Sequence, residues 1–326
     1  MRNELIDCLK GFLIILVVIG HVVFALELNA YENAVFKFCY SFHMFLFIGI
    51  SGYLIAHNES NLMWLKKRFC RLIIPFVIWS SIIMFYLDLK LEAYFFMFSN
   101  PVLWYLVVLF CCDFLLYVTN FFYKRKIIVI ISLVIAINLF CIIFPDDICK
   151  TFKMLAIYCP FYFAGWAIYE YNLWSSINKN IKIIFAVLYP ISMIIYGFKD
   201  RNEASLYVYD IVNFFGFKNL AEYLKIVFVG NGGMIYNHLI VAPLGCAFAY
   251  SLCKILVSLK IVKNILSFVG KYTLQIYVLS SFFFVDKLSD KIFNEFISVI
   301  LGICVPIIIG IMFNKNKNLN RLLFGS

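Results

Sequence analysis

The chain has 326 residues, of which 64% are hydrophobic and only 14% are charged. This composition excludes a soluble globular domain of this length and indicates a polytopic membrane protein. The formal net charge is +10, and we interpret it as a topology signal that gives no reason to expect a nucleic-acid partner.

Apolar segments able to cross a hydrocarbon core of about 30 Å recur along the chain. They lie at residues 11–26, 38–56, 72–87, 101–122, 127–144, 155–169, 183–198, 234–253, 265–285 and 296–313. We therefore predict an all-α fold with about ten transmembrane helices, forming a single integral-membrane domain over residues 1–326.

The distribution of charge between the segments predicts the orientation. With the N-terminus in the cytoplasm, the inward segments are strongly basic, whereas acids outnumber bases in the outward segments. The positive-inside rule therefore selects an N-in, C-in protein. The 11 cysteines form no CxxC pair, so we predict neither a disulfide framework nor a metal site.

The first apolar segment carries one histidine, His21, and begins beside Asp7 and Lys10. On a helix His21 would lie about 16 Å deeper along the axis than Lys10, which is near the middle of a membrane. An ionisable side chain at that depth is by default a candidate for a functional site. A neutral imidazole there could act as a general base, and the alternative is a histidine that only hydrogen-bonds a neighbouring helix.

The second segment contains a further histidine, His43, within the run SFHMFLFIGISGYL. We expect it at a depth comparable to that of His21, as a substrate contact or a packing residue. Ser51 and Gly52 follow on the same helix, where small residues permit close packing.

The third and fourth segments add charge and aromatic groups. Arg68 and Arg71 belong to the basic run KKRFCR, which suits a bound phosphate group and equally suits a stop signal or a lipid headgroup. Trp104 and Tyr105 are either interfacial anchors or a surface on which a sugar ring stacks. Asp113 lies in an apolar run, and we expect it to hydrogen-bond another helix.

A longer outward section covers residues 199–233. Long loops in compact proteins usually have a function. We expect either a lid or acceptor-binding surface here, or a partly embedded amphipathic segment.

These residues, taken in order, resemble the membrane acyltransferase-3 family. The resemblance rests on Asp7, Lys10, Gly11 and His21, on FHM and SGYL, on the basic run before IPFVIW, and on VLWYL. It continues in CPFYFAGWAIYE (159–170) and LSFVGKYTLQIYVLS (266–280). Two positions depart from the family pattern: Lys10 replaces an arginine, which removes a planar bidentate fork, and Ser280 stands where a histidine is often found.

The resemblance implies an O-acetyltransferase of the bacterial inner membrane. Such an enzyme takes an acetyl group from cytoplasmic acetyl-CoA, as a substrate with no permanently bound cofactor. It delivers the group to a hydroxyl of a surface-polysaccharide sugar, such as O-antigen or capsule, carried by a glycan or a lipid-linked sugar. Membrane lipids and these two substrates are the expected partners.

Residues and resemblance together predict a mechanism. Lys10, Arg68 and Arg71 would hold the CoA phosphates, and Asp7, at i, i+3 spacing, would position Lys10. His21 would deprotonate the acceptor or carry the acyl group; His43, Ser51 and Trp104 would contact substrate. The rival readings are a transporter or flippase of lipid-linked glycans, which usually shows internal repeats that we do not find here, and a non-catalytic partner in a polysaccharide assembly complex.

Overall fold

A computed structural model describes residues 3–27, 29–30, 33–56, 61–86, 103–143, 150–173, 178–193, 240–284 and 291–325. Every regular element in these ranges is a helix. The α-helices are α1 (Glu4–Leu26), α2 (Ala34–Ile55), α3 (Leu62–Tyr86), α4 (Trp104–Thr119), α5 (Lys126–Ile143), α6 (Lys150–Glu170), α7 (Lys179–Ser192), α8 (Ala242–Leu256), α9 (Lys260–Val269), α10 (Thr273–Leu279), α11 (Lys291–Phe313) and α12 (Lys317–Phe324). Short 3₁₀ helices follow α4 (Asn120–Arg125) and α10 (Ser280–Phe283).

The helices are those of a membrane protein. Within the described ranges, four helical stretches are long and apolar enough to cross a bilayer: Glu4–Leu26, Ala34–Ile55, Trp104–Phe122 and Ile292–Phe313. Shorter apolar helices cover Lys126–Phe140, Asn180–Ser192, Ala242–Leu256 and Thr273–Phe283. The all-helical membrane class is thus confirmed, while the ten spans and the N-in, C-in orientation stay predictions.

The predicted span at residues 265–285 differs from the structure. The chain breaks there into α9 and α10, and the N–H groups of Lys271 and Tyr272 donate to carbonyls three residues earlier. The break coincides with a close contact at Gly270, where an added Cβ would lie 2.1 Å from the carbonyl oxygen of Asp7 on α1. The end of α9 is therefore fitted to the backbone of α1.

One compact unit comprises Met1–Leu46, Ile177–Thr273 and Ser281–Ile303. In this unit α1 packs against α8 and α9, and α7 packs against α8. Gly11 permits the contact with α9, because an added Cβ would lie 1.9 Å from the carbonyl oxygen of Leu266. Lipid tails are as apolar as these side chains, so close packing of small residues supplies much of the attraction between membrane helices.

The other unit comprises Phe47–Ser176, Leu274–Ser280 and Cys304–Ser326. In it α3 packs against α4 and α12, and α6 packs against α4 and α5. The second half of α2 crosses α6 so closely that a Cβ on Gly165 would lie 1.9 Å from the carbonyl oxygen of Gly49. A Cβ on Gly52 would lie 2.0 Å from the carbonyl oxygen of Tyr162.

Candidate active site

Helix α1 carries Lys10 and His21 on one face. Eleven residues rotate the helix through three turns plus about 20°, and they separate the two positions by about 16 Å along the axis. Asn3 caps the helix by accepting hydrogen bonds from the N–H groups of Leu5 and Ile6. Asp7 is buried and Lys10 is half-buried, and both take part in further interactions. The pairing of Asp7 with Lys10 stays a prediction.

His43 is held in one tautomer by its own helix. Its Nδ1 lies within hydrogen-bond distance of the Cys39 carbonyl oxygen, one turn earlier on α2. A carbonyl can only accept a hydrogen bond, so the hydrogen of the neutral ring is on Nδ1 and Nε2 keeps its lone pair. The Tyr40 ring packs edge-on against the imidazole, with 4.9 Å between centroids. His43 is only 1% exposed, so this orientation is fixed by burial as well.

The structure brings His21 and His43 together. The two imidazoles are close enough to interact electrostatically. The helices are also close at the neighbouring Gly20, where an added Cβ would lie 2.8 Å from the Tyr40 ring. His21 is half-buried, and no residue in the described part of the chain is seen to hydrogen-bond its ring. The pair thus combines one imidazole of fixed tautomer with a second that remains available to a substrate.

A polar network in the other unit includes Arg68. The Arg68 Nε donates to Asp113 Oδ2 at 2.6 Å, and the Tyr162 hydroxyl donates to Asp113 Oδ1 at 2.6 Å. Asp113 and Tyr162 are both fully buried. We expected Asp113 to hydrogen-bond another helix, and it joins α4 to both α3 and α6. Arg68, which we expected to bind phosphate, therefore also forms an ion pair with the buried Asp113. The sequence signal for such a pair was the carboxylate of Asp113 in an apolar run, because a buried charge needs a partner.

Ser51 belongs to a second network in the same unit. The Ser51 hydroxyl donates its one hydrogen to the Phe47 carbonyl at 3.0 Å. The Tyr105 hydroxyl lies 3.2 Å from the Ser51 hydroxyl and must therefore be the donor in the bond between these two side chains. The Tyr105 backbone N–H, in the first turn of α4, donates to the Tyr277 hydroxyl at 3.4 Å. That contact satisfies one of the N–H groups that a helix start leaves without an intrahelical partner. Tyr105 was expected, with Trp104, to be an interfacial anchor or a stacking surface for a sugar ring, and its hydrogen bond to Ser51 was not predicted.

Trp104 and Arg71 each lie against a neighbouring element. The Trp104 ring stacks on Tyr158 with 4.8 Å between centroids. Arg71 donates through Nε to the Gly325 carbonyl at 3.0 Å, at the end of α12. Nearby, Trp79 Nε1 donates to the Leu323 carbonyl at 2.8 Å. A sugar-stacking role for Trp104 and a phosphate-binding role for Arg71 stay predictions.

Two sequence predictions concern other features. The outward section at residues 199–233 lies outside the described residues. Among the residues that the structure describes, no group of three histidine, cysteine, aspartate or glutamate side chains could hold a metal ion.

Two curated proteins are similar to part of this chain. Nodulation protein NolL of Sinorhizobium fredii is 38% identical over 109 residues, which is 29% of this chain and 27% of that protein. Nodulation protein NolL of Mesorhizobium japonicum is 35% identical over 89 residues, 25% of this chain and 24% of that protein. The matches thus span about a quarter of the length of each relative. No solved structure matches the chain.

The family comparison covers far more of the sequence. The model of the acyltransferase domain of the acyltransferase-3 family matches residues 3–315. This range includes His21, His43, Arg68, Arg71 and Asp113. The chain therefore belongs to the acyltransferase-3 family of membrane proteins.

Proposed function

We propose that this protein is a membrane O-acetyltransferase that moves an acetyl group from cytoplasmic acetyl-CoA to a hydroxyl of a surface-polysaccharide sugar. The observation that carries the proposal is the pair of His21 and His43 within a membrane acyltransferase domain. Two neighbouring imidazoles in apolar helices are hard to explain as packing alone, because an ionisable group inside the membrane is energetically costly. The choice of acetyl-CoA and of a polysaccharide sugar rests on the family resemblance.

In the proposed reaction His21 is the general base. It takes the proton of the acceptor hydroxyl while that oxygen attacks the thioester carbonyl carbon. The carbon–sulfur bond then breaks, and the imidazolium returns the proton to the CoA sulfur. An alternative route passes the acetyl group through a covalent bond to His21 before the acceptor attacks. Proton transfer by a positioned base contributes about 10² to 10⁴ in rate.

The other residues bind and orient the substrates. His43 contacts the reacting groups through its Nε2 lone pair, which its hydrogen bond to Cys39 leaves available. Lys10, positioned by Asp7, is one proposed ligand of the donor phosphates, and Arg68 and Arg71 are the others. Charged nitrogen donors suit phosphate oxygens because charge-assisted hydrogen bonds are about twice as strong as neutral ones.

Aromatic and hydroxyl side chains bind the acceptor sugar in this proposal. Trp104 already stacks on Tyr158, and the two rings together offer an apolar surface to a sugar ring. Ser51 and its partner Tyr105 offer hydroxyl groups for hydrogen bonds to the acceptor.

The test is mass spectrometry of the surface polysaccharide from cells that carry the intact protein, the His21→Ala variant or no copy. A His57→Ala variant is the matched control, since the proposal gives His57 no role. We expect O-acetyl groups with the intact protein and the control only, with the His21→Ala protein still inserted in the membrane. Equal acetylation in all cells, with less glycan exported when the protein is missing, would favour a transporter instead.

A further inference from the structure

Arg68 and Arg71 are both held through one nitrogen of the guanidinium group. Arg68 uses Nε to bind Asp113 at 2.6 Å, and Arg71 uses Nε to bind the Gly325 carbonyl at 3.0 Å. A guanidinium bound at Nε has a fixed plane, and its two terminal nitrogens with four N–H groups remain available. Within the described ranges, no residue accepts a hydrogen bond from the terminal nitrogens of Arg68 or Arg71.

The partners that hold the two arginines are themselves fixed. Asp113 is fully buried and its second oxygen accepts the Tyr162 hydroxyl at 2.6 Å. Gly325 ends α12 with a positive φ of 64°, and an added Cβ there would lie 2.2 Å from the Arg71 carbonyl oxygen. Phe324, 1% exposed, stacks on Trp79 and locks α12 against α3.

The two guanidinium groups also lie close to each other. They are three residues apart on α3, which places them on one face of the helix, and they interact electrostatically. The charge of Arg68 is offset by Asp113, while Arg71 is held by a neutral carbonyl. Arg68 is 15% exposed and Arg71 is exposed. An anion between them would relieve their repulsion and occupy the available N–H groups.

We infer that Asp113 and the C-terminal helix α12 are positioning elements, which hold Arg68 and Arg71 as a preformed clamp for a phosphate group. The inference rests on the proposed function, in which that phosphate belongs to the acyl donor. Neither Asp113 nor Gly325 touches the phosphate. Each acts by fixing the plane of the arginine that does, so less side-chain freedom is lost when the phosphate binds. An anionic lipid headgroup shares this chemistry and is the other source of the phosphate.

The test measures phosphate binding separately from acyl transfer. The full-length protein is placed in phosphatidylcholine nanodiscs, and binding of adenosine 3′,5′-bisphosphate, the phosphate end of CoA without its thiol arm, is measured. The variants are Asp113→Asn, which removes the charge that holds Arg68, and Gly325→Ala, which displaces the carbonyl that holds Arg71. Glu4→Gln is the matched control, because it breaks an exposed ion pair with Lys263 that the clamp does not include.

We expect both variants to raise the Kd about tenfold, as for a lost charge-assisted hydrogen bond, and the control to match the intact protein. With acetyl-CoA as substrate, the same variants should raise KM about tenfold and change kcat less than about twofold. A purely structural role would lower the amount of active protein and would leave KM unchanged. Arg68→Lys should also weaken binding, because lysine lacks the planar fork.

Discs that contain phosphatidylglycerol distinguish the two sources of phosphate. If native mass spectrometry shows this lipid retained by the intact protein and lost from both variants, the clamp stands with a headgroup as its ligand. Folded Asp113→Asn and Gly325→Ala proteins that bind nucleotide and lipid as the intact protein does would overturn the inference. If the intact protein binds the nucleotide through Arg68 and Arg71 but transfers no acetyl group, the proposed function is overturned while the inference about the clamp stands.

Discussion

Two glycines at the crossing of α2 and α6 are predicted to respond differently to replacement by alanine. A Cβ on Gly165 would lie 1.9 Å from the Gly49 carbonyl oxygen, whereas a Cβ on Gly49 would lie 3.5 Å from the Phe161 carbonyl oxygen. The first distance is impossible for real atoms and the second is an ordinary contact. The same glycine-to-alanine change should therefore have opposite effects on the two sides of one helix crossing.

The magnitudes follow from the geometry. Gly165→Ala must separate the two backbones by roughly 1.5 Å to restore normal contact, and overpacking of this kind costs about 1–3 kcal/mol. Gly49→Ala meets no such obstacle and gains the better helix propensity of alanine, about 1 kcal/mol at most. The separation at Gly165 would also shift Tyr162, one turn earlier on α6, and disturb its 2.6 Å hydrogen bond to Asp113, so phosphate binding should weaken as well.

The assay is unfolding of the purified protein in detergent, followed by the loss of helix signal. We expect Gly165→Ala to unfold at a clearly lower denaturant concentration than the intact protein, and Gly49→Ala to unfold at the same or a higher one. Equal stability of the two variants would refute the close crossing on which the position of Tyr162 depends.

Three further predictions concern the candidate site. The His43→Asn protein should fold, since the asparagine amide can still donate to the Cys39 carbonyl. It lacks the Nε2 lone pair and should therefore lose about 10² in kcat/KM. Full activity of this variant would show that His43 does not belong to the site. Lys10→Arg should keep the KM for acetyl-CoA within about threefold while Lys10→Met raises it about tenfold, and equal KM values in steady-state kinetics would contradict a phosphate contact. Tyr105→Phe removes the hydrogen bond donated to Ser51 and should destabilise the protein by about 1 kcal/mol in the same unfolding assay, and no loss would show that this bond contributes nothing.

Part of the fold could be read directly from hydropathy. The uninterrupted apolar runs at residues 11–26 and 38–56 predicted α1 and α2, because a chain in lipid must satisfy its own backbone hydrogen bonds. Helix α3 begins at Leu62, ten residues before the predicted span at residues 72–87. Hydropathy marks only the apolar part of a helix, so the predicted apolar range began after the basic run with Arg68 and Arg71, although that run opens the third segment.

The break between α9 and α10 could not be predicted in this way. Gly270 and Lys271 follow Val269 in the run at residues 265–285, but an isolated glycine is tolerated inside a helical pattern and does not by itself require the helix to end. The cause is tertiary, since the end of α9 approaches the backbone of α1 at Asp7. A contact between residues more than 250 positions apart leaves no periodic signal in either segment.

The site residues divide in a similar way. His21 and Asp113 stood out because ionisable groups in apolar runs are costly and need partners. The identity of those partners depended on how the helices pack, so Tyr162 and the ion pair with Arg68 emerged only from the structure. No element was predicted at α12, in which Phe324 is buried against Trp79 and after which Gly325 holds Arg71.

The central claim is that His21 is required for acyl transfer, and labelled acetyl-CoA tests it most directly. Membrane vesicles with the cytoplasmic face outward receive acetyl-CoA labelled in the acetyl group, and label in the glycan fraction is counted for the intact protein, His21→Ala and His57→Ala. The account predicts label with the intact protein and the control, and a loss of about 10² or more with His21→Ala at equal protein level. Equal labelling of the glycan by His21→Ala would contradict the account.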